Sequence, residues 1–373
     1  MAQVVLKKCL DYETPGFEAA VRHCIEQLGG MERFVSSGDR VLIKPNMLSA
    51  HTPERRITTD PAMLLAVTKI VLEVGGRPVI GDSPAMDRFS RVAEKSGFAQ
   101  VARDLGVEII ELDQPTPVKV GEGAAFKNLE LARAALEADK VINLPKLKTH
   151  SQMLLTLGVK NLFGTVVGKR KPEWHLMAGV DREVFASLLL DIYGAVKPVL
   201  TVLDGVWGME GRGPANGPPR HIGLIAASAD ALAMDLAVTD LLGVDRNRLP
   251  LYRAARSRGM IPEIVCIGDP TDELRVRDFK TPDLEAVSPL PGFLTTLLRR
   301  HLVSKPVSLS ESCIGCEKCL DICPANAVHL TEKRAVFDYK RCIRCYCCQE
   351  VCPQNAIDFQ YGPLVRVLNR LGR

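Results

Sequence analysis

Cys313-Ile314-Gly315-Cys316-Glu317-Lys318-Cys319-Leu320-Asp321-Ile322-Cys323-Pro324 is followed by Cys342-Ile343-Arg344-Cys345-Tyr346-Cys347-Cys348-Gln349-Glu350-Val351-Cys352-Pro353. Both stretches carry one spacing, Cys-x2-Cys-x2-Cys-x3-Cys-Pro. A cubane of four irons needs four thiolates at its corners. Gaps of two residues let the chain wrap one corner while its backbone amides face the inorganic sulfurs. The spacing therefore predicts two [4Fe–4S] clusters. Zinc is the competing reading, because Cys-x2-Cys also suits a tetrahedral ion. A zinc ribbon, however, places its second pair about 15–20 residues on, with no third cysteine two residues after the first pair.

A shift of 29 residues superposes all four cysteines and the proline, Ile314 on Ile343, Asn326 on Asn355, Ala327 on Ala356 and Val328 on Ile357. Such a duplication predicts a pseudo-twofold module. Residues 308–361 resemble the bacterial two-[4Fe–4S] ferredoxin domains, in which the fourth cysteine of each run ligates the other cluster. The resemblance implies one cluster on Cys313, Cys316, Cys319 and Cys352, and the other on Cys342, Cys345, Cys348 and Cys323. Cys347 is extra and is expected to stand beside the ligands rather than among them. Cys9, Cys24 and Cys266 read as small core residues.

At 373 residues the chain exceeds one ordinary domain. An apolar content of 46% supports a large core, while 5% aromatics and a net charge of +4 argue against a nucleic-acid surface. The N-terminus has no signal-like apolar stretch. The longest apolar candidate, residues 222–242, is interrupted by Asp230, Asp235 and Asp240, so no transmembrane segment is expected. Eight cluster thiolates call for a reducing compartment, and the expectation is cytoplasmic.

Before the cysteines, short apolar runs alternate with amphipathic ones. Residues 41–43, 78–80, 107–110, 141–144, 199–203 and 222–225 read as buried strands, with 265–267 as a further candidate. Residues 61–75, 89–105, 183–196 and 230–243 have helical spacing. The expected fold class is α/β, a mainly parallel sheet covered by helices on both faces, with a small C-terminal α+β cluster module. The expected domains are 1–281 for the α/β part, 282–306 for a proline-punctuated linker with one short helix, 307–361 for the cluster module, and 362–373 for a basic amphipathic tail.

In parallel sheets ligands collect at the carboxyl ends of the strands. Those ends carry Lys44-Pro45-Asn46, Gly81-Asp82-Ser83-Pro84, Pro145-Lys146-Leu147-Lys148-Thr149-His150 and Asp204-Gly205. Thr58-Thr59-Asp60-Pro61 looks like a capped helix start, whose free N–H groups suit an anion. Lys44, Lys146, Lys148 and Lys160 are expected to form an electropositive pocket for an anionic small molecule, with Asn46, Thr59, Asn161 and Asp204 among its ligand contacts. Asp82 and Asp204 would orient lysines or accept a proton. His150 is the candidate proton donor, and Trp174-His175 a flap.

These segments, with Gly158-Val159-Lys160-Asn161-Leu162-Phe163-Gly164, Glu210-Gly211-Arg212-Gly213-Pro214 and Asp230-Ala231-Leu232-Ala233-Met234-Asp235, resemble the signature segments of the DUF362 family over residues 4–270. That resemblance implies a fold and a pocket but no reaction. No standard dinucleotide fingerprint is present, and Gly164 to Arg170 falls one residue short of a P-loop and lacks its Ser or Thr. The resulting expectation is an iron–sulfur oxidoreductase. Its clusters would exchange electrons with a redox partner protein or small donor, and with an anionic substrate or an additional, unidentified cofactor. The alternative is a non-catalytic electron carrier or assembly protein whose α/β domain binds a partner or ligand.

Overall fold

The computed structural model describes residues 1–13, 15–121, 123–168, 170–179, 181–282, 305–309 and 311–360. The expected linker helix and the tail 362–373 lie outside the described residues. The chain divides into two compact units, the first made of Met1–Lys171 and Arg182–Pro282, the second of Pro172–Asp181 and the C-terminal module.

The first unit is built on a mixed, mostly parallel sheet of ten strands among the described residues. Its strands are β1 (Ala2–Lys8), β2 (Arg40–Pro45), β3 (Arg77–Asp82) and β4 (Glu108–Glu111); β5 (Pro115–Val118) and β6 (Leu129–Ala132) form a separate hairpin. The sheet continues with β7 (Lys140–Leu144), β8 (Lys146–His150), β9 (Leu154–Thr156), β10 (Leu200–Met209), β11 (Pro219–Ser228) and β12 (Ile264–Gly268). The spatial order is β12-β1-β11-β10-β7-β2-β3-β4, with β8 pairing β10 and β9. Every strand expected from an apolar run is present. β11 runs antiparallel to both β1 and β10, because residues 210–218 close a hairpin with no crossover helix.

The central strands are apolar on both sides, as a doubly covered sheet requires. Val41 and Ile43 join Val5, Ile80, Ile142, Val202 and Ile225 in one core with α1 (Gly16–Gln27), α2 (Pro61–Glu73), α3 (Phe89–Lys95) and α4 (Phe98–Leu105). By strand alternation Leu42, Leu203 and Leu224 face the other side. The expected helix over 89–105 is two helices. The Ser96 hydroxyl donates to the Val92 carbonyl at 2.8 Å, and Gly97 follows at φ +80°, a turn favoured by glycine. At α2 the Asp60 carboxylate accepts from Ala62 N–H at 3.0 Å with Pro61 at the first helical position.

The C-terminal module repeats its backbone as well as its cysteines. β13 (Lys305–Ser308) and β15 (Arg334–Phe337) are 29 residues apart, as are β14 (Val328–Thr331) and β16 (Ile357–Gln360). The same offset relates the one-turn helices Lys318–Asp321 and Cys347–Glu350. It also relates three left-handed pairs: Gly315 and Arg344 (φ 65° and 57°), Glu317 and Tyr346 (both 63°), Asn326 and Asn355 (46° and 53°). Among the described residues the matched strands of the first repeat start with Lys305.

Candidate functional site

Where β2 and β7 end and β8 begins, most of the expected polar residues meet in one buried network. Lys44 Nζ lies 3.0 Å from Asp82 Oδ1 and donates to its neighbour's carbonyl at Pro45. Asp82 also accepts from the backbone N–H groups of Met47 and Ser83, each at 2.8 Å. Asn46 and Thr59 lock together: Asn46 N–H donates to Thr59 Oγ1 at 2.8 Å, and that hydroxyl donates to the Leu144 carbonyl at 2.6 Å. Lys148 Nζ donates to Asn46 Oδ1 and to the Ile57 carbonyl, both at 2.7 Å. Asn46 Nδ2 donates to Asn161 Oδ1, and Asn161 Nδ2 to Asn143 Oδ1.

A second knot adjoins the first. Lys146 Nζ is 2.8 Å from Asp204 Oδ2 and 2.9 Å from the Tyr12 hydroxyl, which itself donates to Asp204 Oδ1 at 2.6 Å. Asp60 N–H also donates to Asp204, at 2.7 Å. Toward the surface, Arg56 pairs with Asp60 at 2.8 Å and lies over the rings of Tyr12 and Trp207, 5.3 Å from each centroid. Its side chain is 18% exposed, whereas Lys146 and Asp204 are at 0%.

The local sequence explains this arrangement. Pro145 interrupts the run after β7, and the following residues form the short strand β8. Lys146 and Lys148 are two apart, so they share a side of β8. They are buried because partners at Asp204 and Asn46 are waiting for them. Lys44 and Lys146 thus spend their amines on internal carboxylates, in place of the open electropositive pocket expected.

Burial pulls both lysines below their ordinary range, with the adjacent aspartate opposing it in each case. Burial, then the charge of Asp204, pushes the Asp60 carboxyl up to about 6. The same two causes hold the Tyr12 hydroxyl well above 10. Tyr12, Asp204 and Lys146 form a closed triangle of exchangeable protons, with the Asp60 carboxyl beside it. Such a group can hold or release a proton without exposing charge to water.

The remaining expected residues are His150, Lys160 and His175. His150 is buried, and its Nδ1 accepts from the N–H groups of Gln152 and Met153 at 3.1 and 3.2 Å. In the neutral ring the proton therefore sits on Nε2. Lys160 is half-buried over the rings of Phe163 and Phe185, at 5.5 and 5.8 Å. His175 is buried on the helix Arg170–Ala178, in the second unit.

Sequence reading missed Tyr12, Arg56 and Lys171. Lys171 is buried with its amine on the carbonyls of Ser83 and Val166, and burial lowers it to about 7. No motif marked these residues; Asp60 was visible, but only as a helix cap.

In the second unit, Cys313, Cys316, Cys319 and Cys352 line one cavity, with Leu330 and Ala335 among its walls. A ligand from the later repeat thus joins three from the earlier one. Burial, then Cys316, Cys352 and Cys313, pushes the Cys319 thiol up to about 11. Burial pushes the Cys342 thiol up, the Arg344 N–H opposes it, and Cys345 and Cys323 are among its neighbours. The fourth cysteines match each other: Cys323 accepts from Ala327 N–H and Cys352 from Ala356 N–H, both at 3.2 Å. The thiols surround a space instead of converging on a point, and among the described residues no three ligating side chains close on a single-ion site. A thiol-lined space with amides aimed at sulfur fits a cubane.

The class defined here is an α/β protein carrying a ferredoxin-like iron–sulfur module. Residues 312–356 match the family model of the 4Fe-4S dicluster domain, and residues 41–240 match the domain of unknown function DUF362. A thylakoid-associated protein of Synechocystis sp. is 40% identical over 299 residues, 79% of this chain and 92% of that protein. The chain belongs to the DUF362 family.

Among solved structures, the lactate racemase apoprotein from Thermoanaerobacterium thermosaccharolyticum aligns at 11% identity and a TM-score of 0.41, over 61% of this chain and 54% of that one. A Thermotoga maritima protein aligns at 12% and 0.34, over 59% and 57%. The chain spans little more than half the length of these structures. Among the described residues, no helix is long and apolar enough to cross a membrane.

Proposed function

We propose that this protein is an iron–sulfur oxidoreductase with two [4Fe–4S] clusters, one on Cys313, Cys316, Cys319 and Cys352, the other on Cys342, Cys345, Cys348 and Cys323. The observation that carries the reading is the cavity in which Cys352 joins the first three cysteines. Each cluster stores one electron when reduced, and together they match a two-electron reaction. The substrate is an anionic small molecule at the strand ends of the α/β unit. Arg56 and Lys148 supply positive charge to it, and the Tyr12–Asp204–Lys146 triangle with Asp60 manages the accompanying proton. His150, with its proton on Nε2, is a second donor. Lys160, Asn161 and Asp82 keep supporting places around the same segments. A redox partner protein or small donor supplies or removes the electrons.

A second reading treats the chain as a non-catalytic electron carrier or assembly protein. The full internal pairing of Lys44 and Lys146 favours it, since a scaffold needs no free cation. Anaerobic purification separates the two. Eight irons with a bound flavin or small anion, and reoxidation of the reduced clusters that depends on that ligand, support the enzyme. Eight irons alone, with no ligand-dependent reoxidation, support the carrier. Lys148→Ala and Arg56→Ala should abolish ligand-dependent reoxidation while iron content and visible absorption persist. Normal turnover in both removes the anion site.

A reducing compartment, the cytoplasm, is the location we propose, because eight cluster thiolates would be poorly kept where disulfides form. The name of the cyanobacterial relative adds association with an internal membrane, which fractionation of native cells decides.

A further inference from the structure

The two cysteine loops share a backbone but not their exposure to water. Glu317 and Tyr346, matched by the repeat, have the same left-handed φ of 63°. Tyr346 is 2% exposed and packs edge-on against Phe359, with ring centroids 4.6 Å apart. Cys345, Cys347, Cys348 and Gln349 around it are buried as well. In the first half the places of that ring pair are held by Glu317 and Leu330. There Cys316 and Glu317 are exposed and Lys318 is partly exposed. Ile314 is 62% exposed, whereas its counterpart Ile343 is only partly so. Ile314 also lines the cavity of Cys313, Cys316, Cys319 and Cys352.

We propose that the first cluster is the electron port of the module: an external one-electron carrier exchanges its electron there, across Ile314 and Cys316, and the second cluster is reached through the first. This rests on the two-cluster, crossed-ligand reading above and says where the donor or acceptor of that reading makes contact.

Electron transfer weakens steeply as the gap between donor and acceptor widens. The cluster with a ligand sulfur at the surface therefore exchanges first. Cys316 supplies that sulfur in the first loop, while the matching Cys345 is buried. The difference traces to the side chain at one backbone position. The Tyr346 ring can be buried against Phe359 and exclude water, but the Glu317 carboxylate stays hydrated and leaves its loop open. Ile314 adds apolar surface that a carrier can cover at no cost in lost hydration of polar groups. Glu317 and Lys318 are the charged residues lining this cavity, and their charges offset each other. In the exchange no bond forms or breaks: the carrier loses one electron and the cluster gains it, or the reverse.

The test uses the full chain, purified without oxygen, with reduced methyl viologen as the probe. This radical cation gives one electron to the oxidised clusters and becomes the dication, which stopped-flow absorbance follows. Ile314→Glu should speed the reaction and Ile314→Lys slow it, a spread of about two- to fourfold at about 0.1 M ionic strength. The same two charges placed at Ile343 should give a smaller spread. No spread at Ile314, or an equal or larger one at Ile343, overturns the proposal. Iron release to the ferrous chelator bathophenanthroline disulfonate is a second readout that needs neither pair of variants. Wild type should lose one half of its iron faster than the other. The fast half should be missing in Cys352→Ala and retained in Cys323→Ala. The opposite assignment, or a single phase in wild type, overturns the proposal. Fewer than eight irons in the wild type would instead sink the two-cluster reading, a separate outcome.

Discussion

Lys146→Met tests the centre of the α/β network most directly. The wild-type amine and the Asp204 carboxylate are both fully buried and 2.8 Å apart. Methionine keeps the length of the side chain and removes its charge and donors. Asp204 then keeps Tyr12 and Asp60 N–H as donors but faces no cation. Removing one partner of a buried pair costs about 3–5 kcal/mol, most of it the penalty of the orphaned charge. For a unit of this size each kcal/mol moves Tm by roughly 2–4 °C, so the variant should melt about 6–20 °C lower. Asp204→Leu should cost a similar amount, by stranding the ammonium.

The double variant Lys146→Met/Asp204→Leu decides the interpretation. It removes both charges together, and apolar replacement of a buried pair is often near neutral. Here it still strands Asp60 N–H, which accounts for about 1–3 kcal/mol. The double variant should therefore fall well short of the sum of the singles, by at least about 2 kcal/mol. The assay is far-UV circular dichroism on fully loaded, anaerobic protein at one scan rate, since melting of such a protein can be irreversible. Singles that melt within about 2 °C of wild type, or losses that simply add, would show that the two charges do not meet in a dry interior.

Asp235 gives a pH signature. Its carboxylate accepts from Gly158 and Val159 N–H at 2.7 and 3.0 Å, yet burial pushes its pKa from 3.8 up to about 8. A group raised on folding contributes fully below its unfolded value and loses that contribution as pH rises through the folded one. Wild type should therefore lose stability between about pH 3.8 and 8 relative to Asp235→Asn, as read by denaturation midpoints; parallel profiles refute it. At Gly164 a Cβ would press on Asp82 Oδ1 and Lys44 Nζ, so Gly164→Ala should destabilise by about 1–3 kcal/mol, and an unchanged midpoint counts against the packing of that pair. Cys323→Ala should strip the cluster held by Cys342, Cys345 and Cys348, while Cys352→Ala strips that of Cys313, Cys316 and Cys319. Iron loss on the same side as the mutated repeat would refute the exchange.

The sheet was legible wherever a strand is buried on both faces, because such strands read as unbroken apolar runs. β1 escaped although Val4, Val5 and Leu6 are fully buried, since its apolar run is only three residues long and is followed by Lys7 and Lys8. α1 and the helix Pro250–Ser257 were not read either. β8 was not among the expected strands, since Lys146, Lys148 and Thr149 break any apolar run there. What holds them in a strand is Asp204 and Asn46, far off in sequence, and no local pattern encodes that. The same limit hid Tyr12, whose role depends on reaching a residue 192 positions away. Lysines and aspartates at strand ends could be seen singly, but which lysine meets which aspartate is a tertiary fact.

On the proposed two-cluster reading, the exchange of cysteines between repeats follows from an exchange of strands. β13 of the first repeat pairs with β16 of the second, and β14 of the first with β15 of the second. Each two-stranded ribbon therefore holds one strand from each repeat, and neither repeat can complete its hydrogen bonds alone. Cys323 lies five residues before β14, on the segment that crosses to join the second repeat's strand. Cys352 lies five residues before β16, on the segment that crosses the other way. The fourth ligand is thus delivered to the opposite cluster by the strand that follows it. Proline after each fourth cysteine disfavours a helical conformation there and pushes the chain toward the crossing. Strand exchange and ligand exchange are one consequence of duplication, so disrupting either ribbon should loosen the cluster on the far side before the near one.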